Sequence, residues 1–391
     1  MEMINNLRDT IHEYIDHQEI AGVSVLVQKE GEEVCFLAEG MRDIENKKKI
    51  ERDTIYRLYS QTKPVTAVAV MKLVEQGKLD LCQPVSDFLP GFKDQKVLEN
   101  GQLRPVRKEA VLYDLMQMTA GSGYADATEV GILTGRLFEE VNARMYGENP
   151  ISTIEFANAV GRLPLAFDPG SSWNYGVSAD VLGAVVEIAS GMRLGDFMKK
   201  EIFEPLGMED TSFWVPEEKM SRLAKSYDVV EDEDGKHLIP YTGNEDGIQN
   251  RLKQKPAYEA GGAGLSSTLD DYMKFARMLL NGGTYRDKRI LRSQTVQFLT
   301  SGRLLGHQQS VFEEKFGLLG YSYGNLMRVC KDPDQSSMLT RAGEYGWDGW
   351  LGMYFANFPA EDMTILFGMQ RKAAGFWPLT RKLRNIILSS L

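Results

Sequence analysis

Ile4, Leu7, Ile11, Tyr14 and Ile15 recur three and four residues apart, which predicts an amphipathic helix over residues 3–17. Two short apolar stretches, 22–28 and 33–38, meet at Glu30-Gly31-Glu32 and predict an antiparallel hairpin. Residues 63–76 form an apolar helical run stopped by Gly77, with a Leu79-Asp80-Leu81 turn after it. From Pro84 to about Pro256 the pattern is mostly helical, with helices expected at 111–118, 153–160, 178–189 and 196–202. Residues 228–237 and 243–255, rich in charge, Gly and Asn, read as exposed loops. Gly261-Gly262-Ala263-Gly264-Leu265-Ser266-Ser267-Thr268 then leads into a helix at 269–280 with a Ser or Thr cap, stopped by Gly282-Gly283. Three strand-like runs follow, 317–324, 350–357 and 363–370, before a last helix at 379–391. Strands at both ends with helices between predict an α/β (α+β) chain. Its antiparallel sheet domain comes from 1–83 and 257–391, flanked by helices and interrupted by a mostly helical domain, 84–256.

Tyr59-Ser60-Gln61-Thr62-Lys63 stands where the first of these apolar helices begins. Residues three apart share a helix face, so the Lys63 ammonium is expected beside Ser60 Oγ. The helix N-terminus adds positive potential where an oxyanion would form. Pro64 suits a first turn, whose N–H has no partner to lose. A third group is needed to shuttle protons, and Tyr175 is the candidate, in Pro169-Gly170-Ser171-Ser172-Trp173-Asn174-Tyr175-Gly176. A phenol with an ordinary pKa of about 10 is a poor base at neutral pH, and a neighbouring ammonium stabilises the phenolate. Standing alone, Tyr175 would read as a buried aromatic beneath a loop.

Ser60-x-x-Lys63 resembles the signature of serine acyl-transfer enzymes related to penicillin-binding proteins and β-lactamases. Together with Tyr175, the following Ser178-Ala179-Asp180-Val181-Leu182-Gly183, and Gly346-Trp347-Asp348-Gly349, it resembles the motif series of the family VIII carboxylesterases. These share a fold with class C β-lactamases. Leu115-Met116-Gln117-Met118-Thr119-Ala120-Gly121-Ser122-Gly123 resembles the loop lining their pocket. Ile202-Phe203-Glu204-Pro205-Leu206-Gly207-Met208 and Gly264–Thr268 resemble framework signatures. The resemblance implies a β-lactamase/transpeptidase-like fold and Ser60, Lys63 and Tyr175 as catalytic residues. It also implies an oxyanion hole made by the backbone N–H groups of Ser60 and Trp350.

Two departures bear on substrate. Val177 stands where class C β-lactamases carry asparagine, and Trp347-Asp348-Gly349 replaces their Lys-Thr-Gly. Loss of that lysine removes a charge-assisted contact to a carboxylate. The expectation is therefore a carboxylesterase or acyltransferase on small uncharged esters, with weak β-lactam turnover at most. Trp347, Asp348, Gly349 and Tyr124 are the expected substrate-binding residues. Asp348 has two readings: a side chain turned to solvent or paired with Arg341, or a counter-ion for an amine-bearing substrate. The second would suit a D-aminopeptidase-like or amidase activity. A non-catalytic binding or scaffold relative is the remaining alternative, although a scaffold has no need of an amine beside a hydroxyl.

Gly320-Tyr321-Ser322-Tyr323-Gly324 fits the G-x-S-x-G elbow, but the last of the four histidines is His307, so no triad histidine follows it. That segment reads as a strand. No histidine sits at metal-ligand spacing and no dinucleotide or phosphate loop is present, so neither metal nor cofactor is expected. A net charge of −10 disfavours nucleic acid and anionic membrane as partners. Cys35, Cys82 and Cys330, odd in number and widely spaced, predict a reducing compartment. With no signal-like N-terminus and no bilayer-length apolar run, a cytoplasmic location is expected. The oligomeric state stays open.

Overall fold

The computed structural model describes residues 1–375 and 377–391. Its centre is an eight-stranded antiparallel sheet drawn from both ends of the chain. The strands are β1 (Gly22–Lys29), β2 (Glu32–Asp43), β3 (Lys48–Lys49), β4 (Tyr321–Gly324), β5 (Met327–Cys330), β6 (Tyr345–Asp348), β7 (Tyr354–Phe358) and β8 (Met363–Gly368). They run across the sheet in the order β4-β5-β6-β7-β8-β1-β2-β3. β1 and β2 form the expected hairpin, turning through Glu30 and Gly31 at positive φ. β1 then pairs with β8, with Val25 opposite Phe367, and this joint unites the two termini.

Side chains alternate between the faces of a strand, and the burial follows that period. Val23, Val25, Val27, Ile365 and Phe367 share one apolar cluster with Leu7 and Ile11 of α1 (Glu2–Asp16). Leu26, Phe355 and Leu366 face the larger core. That core holds α2 (Lys63–Glu75), α3 (Ser178–Ser190) and α4 (Leu269–Leu280). The terminal helix α5 (Pro378–Ser390) returns to the first face through Leu379, Leu383 and Ile387. Every residue of α2 from Lys63 to Met71 is buried, as a helix apolar on all sides requires. Thr268 caps α4 by accepting from Asp271 N at 3.2 Å.

Several expectations need correction. Residues 228–237 are no loop: Ser226–Asp232 and Gly235–Tyr241 pair as a hairpin. The hairpin stands partly in solvent, so charge falls on both of its faces and hides the alternation. Within 243–255, Gly247–Asn250 is buried rather than exposed. The helix Glu129–Arg144, capped by Thr128, and the hairpin Lys96–Glu99 with Gln102–Pro105 were not foreseen. Nor were β5 and β6, four residues each and buried except for Asp348 at the end of β6, too short to show a period. The run at 350–357 becomes a strand only at Tyr354, because Gly349 N–H donates to Met353 C=O at 2.7 Å across a turn. Ser322 lies within edge strand β4, where its Oγ accepts from Leu304 N at 3.3 Å. Among the described residues no helix is long and apolar enough to cross a membrane.

Candidate active site

The chain reaches Ser60 through Tyr59, whose φ of +45° is costly for a bulky side chain. This reversal opens a 3-10 turn, Tyr59–Thr62, that runs into α2 and sets Ser60 at the helix entrance. Lys63, one turn on, is wholly buried. Its Nζ donates to Ser60 Oγ at 2.9 Å, Tyr124 Oη at 2.9 Å and Gly262 C=O at 2.8 Å. Three acceptors match the three donors of an ammonium.

The charge of that ammonium is answered from α3. Asp180 is buried, and its Oδ1 accepts from Tyr258 O–H at 2.8 Å and Gly262 N–H at 3.0 Å. Burial pushes its carboxyl up, while Lys63 pulls it back toward the charged form. The Gly262 peptide thus touches Asp180 through its N–H and Lys63 through its C=O. Only glycine fits here: a Cβ would lie 2.5 Å from Asp180 Oδ2 and 2.8 Å from Tyr124 Oη. Asp246, at φ +51°, adds a second nearby acid. Burial first, then Asp180 and Glu245, push its carboxyl up to about 7 against the pull of Lys63.

Ser60 opens onto a cleft of about 590 Å³ that Tyr175, Trp347, Asp348, Gly349 and Trp350 also line. The structure therefore gathers segments near 60, 175 and 348 into one place. Lys63 Nζ lies 4.7 Å from the centre of the Tyr175 ring. The Tyr175 oxygen accepts from Trp347 Nε1 at 2.9 Å. No hydrogen bond joins Tyr175 to Ser60 among the described residues. Gly349 brings the end of β6 against the backbone just before Ser60, where a Cβ would collide with the Leu58 carbonyl. Trp350 follows, its ring 5.2 Å from that of Tyr59.

Two expected substrate contacts have partners within the protein. Tyr124 is not among the residues lining the cleft; it lies on Lys63, and burial pushes its phenol well above the ordinary value. Asp348 does not pair with Arg341, whose partner is Glu361 at 3.1 Å. Asp348 Oδ2 instead takes Arg328 Nη1 at 2.9 Å. Arg328 is fully buried and belongs to a cluster with Glu344 and Arg384. Burial pushes the Asp348 carboxyl up and Arg328 opposes it. Two arginines and two carboxylates leave this cluster neutral when Asp348 is ionised. Asp180, Gly262 and Arg328 had no assigned role in the sequence reading. The lone acid in the apolar run Val177–Val186 was a signal for the first, and a backbone carbonyl gives none. No group of three metal-ligating side chains occurs among the described residues.

The sequence model of the beta-lactamase family matches residues 7–385. The chain belongs to this family. Among its relatives, Esterase EstB of Burkholderia gladioli is 28% identical over 94% of this chain and 91% of its own length. The ML-236A carboxylate methylbutanoyltransferase mlcH of Penicillium citrinum is 27% identical over 76% of this chain and 69% of its own. The solved structure of EstCE1, a hydrolase with promiscuous acyltransferase activity, superposes with a TM-score of 0.82 at 24% identity, covering 99% of this chain and 98% of that one. The beta-lactamase family fold is thus established across nearly the whole chain.

Proposed function

We propose that this protein is a serine hydrolase of the carboxylesterase or acyltransferase kind, forming an acyl-enzyme on Ser60. The observation that carries the reading is the buried Lys63 ammonium bonded to Oγ of Ser60, which lines an open cleft. The esterase and acyltransferase named above, similar along most of this chain, support the same class of chemistry.

In the proposed first half-reaction Tyr175 is the group that takes the serine proton. Its oxygen accepts from Trp347 Nε1 at 2.9 Å, and Lys63 Nζ lies 4.7 Å from the centre of its ring. Ser60 Oγ bonds to the ester carbonyl carbon as its proton passes to the Tyr175 oxygen. The carbonyl oxygen, now an oxyanion, sits between the N–H groups of Ser60 and Trp350. Tyr175 then gives the proton to the leaving oxygen as the C–O bond breaks. Water, or an acceptor alcohol, releases the acyl group by the reverse route. Asp180 holds the Gly262 peptide and balances the buried ammonium.

The amidase reading rested on Asp348 as a free counter-ion. Its carboxylate is already matched by Arg328, so nothing in the cleft favours an amine-bearing substrate on that ground. The test is turnover of p-nitrophenyl acetate and butyrate by purified protein. Wild type should hydrolyse both, and Ser60→Ala should lose the activity while keeping the same circular dichroism and melting curve. Unaltered hydrolysis by Ser60→Ala would overturn the assignment.

A further inference from the structure

A second cavity, of about 380 Å³, shares no lining residue with the Ser60 cleft. At its floor is Arg57, three residues before Ser60 and only 6% exposed. Its guanidinium donates to Asn250 C=O from Nε at 2.6 Å and also from Nη2. Nη1 donates to Ala224 C=O at 2.7 Å and Gln370 Oε1 at 3.3 Å. All these acceptors are neutral, and they leave one of the five N–H groups over. No carboxylate among the described residues pairs with Arg57, and burial pulls its pKa down to about 10.

A buried charge answered only by dipoles is costly, so an anion entering here would be favoured. The rest of the wall agrees. Lys48, Lys225, Arg251 and Lys253 line the same cavity, against a single carboxylate, Asp43. Asp43 is already satisfied by Asn46 and by Lys225 at 3.0 Å. Ser226, 2% exposed, also lines it, and its Oγ has no partner among the described residues. Lys225 is matched by Asp43 and Glu45, and the other four cations around one concave site, in a chain of net charge −10, concentrate positive potential there.

We propose that this cavity binds a small oxyanion, the phosphate or carboxylate group of a metabolite, against Arg57 and Ser226 and within the ring of lysines and Arg251. The volume falls in the range of small-molecule sites. Phosphate and carboxylate offer the bidentate acceptor geometry that a guanidinium matches.

The test is isothermal titration calorimetry of the full chain with sodium phosphate, sodium pyrophosphate and sodium citrate, each at ionic strength held constant with sodium chloride. The same titrations are run on Arg251→Glu/Lys253→Glu, whose substitutions are exposed and spare the buried arginine. Saturable one-to-one binding by at least one oxyanion is expected, weakened tenfold or more in the charge-reversed variant. The phosphate and citrate arms tell which group the site prefers. Heats no different from chloride for all three, or equal affinity in the variant, would overturn the proposal. Neither measurement depends on the chemistry at Ser60.

Discussion

Two phenols flank the Lys63 ammonium, and their surroundings differ. Tyr124 is hydrogen-bonded to the amine and held neutral by burial, whereas Tyr175 lines the cleft and takes an indole N–H. Tyr175→Phe should therefore lower kcat on p-nitrophenyl butyrate by about 10²–10⁴-fold, the usual weight of a general base. Tyr124→Phe removes one neutral acceptor from Lys63 and should cost much less. Equal losses in the two variants would remove Tyr175 from the proton path. Asp348, paired with buried Arg328, also bears on stability. Asp348→Asn leaves buried Arg328 without its nearest carboxylate, a change expected to cost about 3 kcal/mol in urea unfolding. A shift below about 0.5 kcal/mol would show that Glu344 alone suffices, since that is the scale of ordinary surface changes.

At the scale of elements, the site depends on how closely backbones approach. The loop carrying Gly262 meets α2 and α3 only because no Cβ intervenes, so Gly262→Ala should displace Lys63 from Ser60 and slow acylation before it affects binding. A pre-steady-state burst of p-nitrophenol with unchanged rate would contradict this. The segment after the Ser226–Tyr241 hairpin carries Asp246, whose carboxyl is raised to about 7 by burial and by neighbouring acids. A carboxyl raised on folding favours the folded state while it is protonated. That contribution is complete below the ordinary aspartate range near pH 4 and is lost as pH rises through about 7. Asp246→Asn should then melt higher than wild type at pH 8 and level with it at pH 4. A variant with the same pH dependence as wild type would show that Asp246 is fully solvated.

Over the whole molecule, the two chain ends close one sheet. The terminal helix α5 supplies buried Leu379, Leu383 and Ile387, and Arg384 reaches Glu344 at 2.6 Å. Deleting residues 378–391 strips that face and leaves Glu344 with the more distant Arg328, so the cooperative unfolding transition should disappear. A truncated chain that melts near the wild-type temperature would contradict this. Much of this architecture was legible, because long periodic helices and a Gly-turned hairpin declare themselves locally. Ser60 and Lys63 were legible for the same reason: one helical turn brings them together. What stayed hidden depends on register and distance. The Arg328–Asp348 pair follows from β5 lying beside β6, and two four-residue strands give no periodic signal. Gly262 acts through its peptide, which no residue-type pattern reveals. Residues 228–237 were read as loop because a half-solvated hairpin carries charge on both faces.

The central claim is that Ser60 is the nucleophile that takes the acyl group, and intact-protein mass spectrometry after reaction with a fluorophosphonate, which phosphonylates such a serine with loss of fluoride, tests it most directly. Wild type should gain one adduct, mapped by peptide fragmentation to Ser60, with labelling slowed strongly in Lys63→Ala and absent in Ser60→Ala. An adduct on any other residue, or none on folded wild-type protein, would contradict the account.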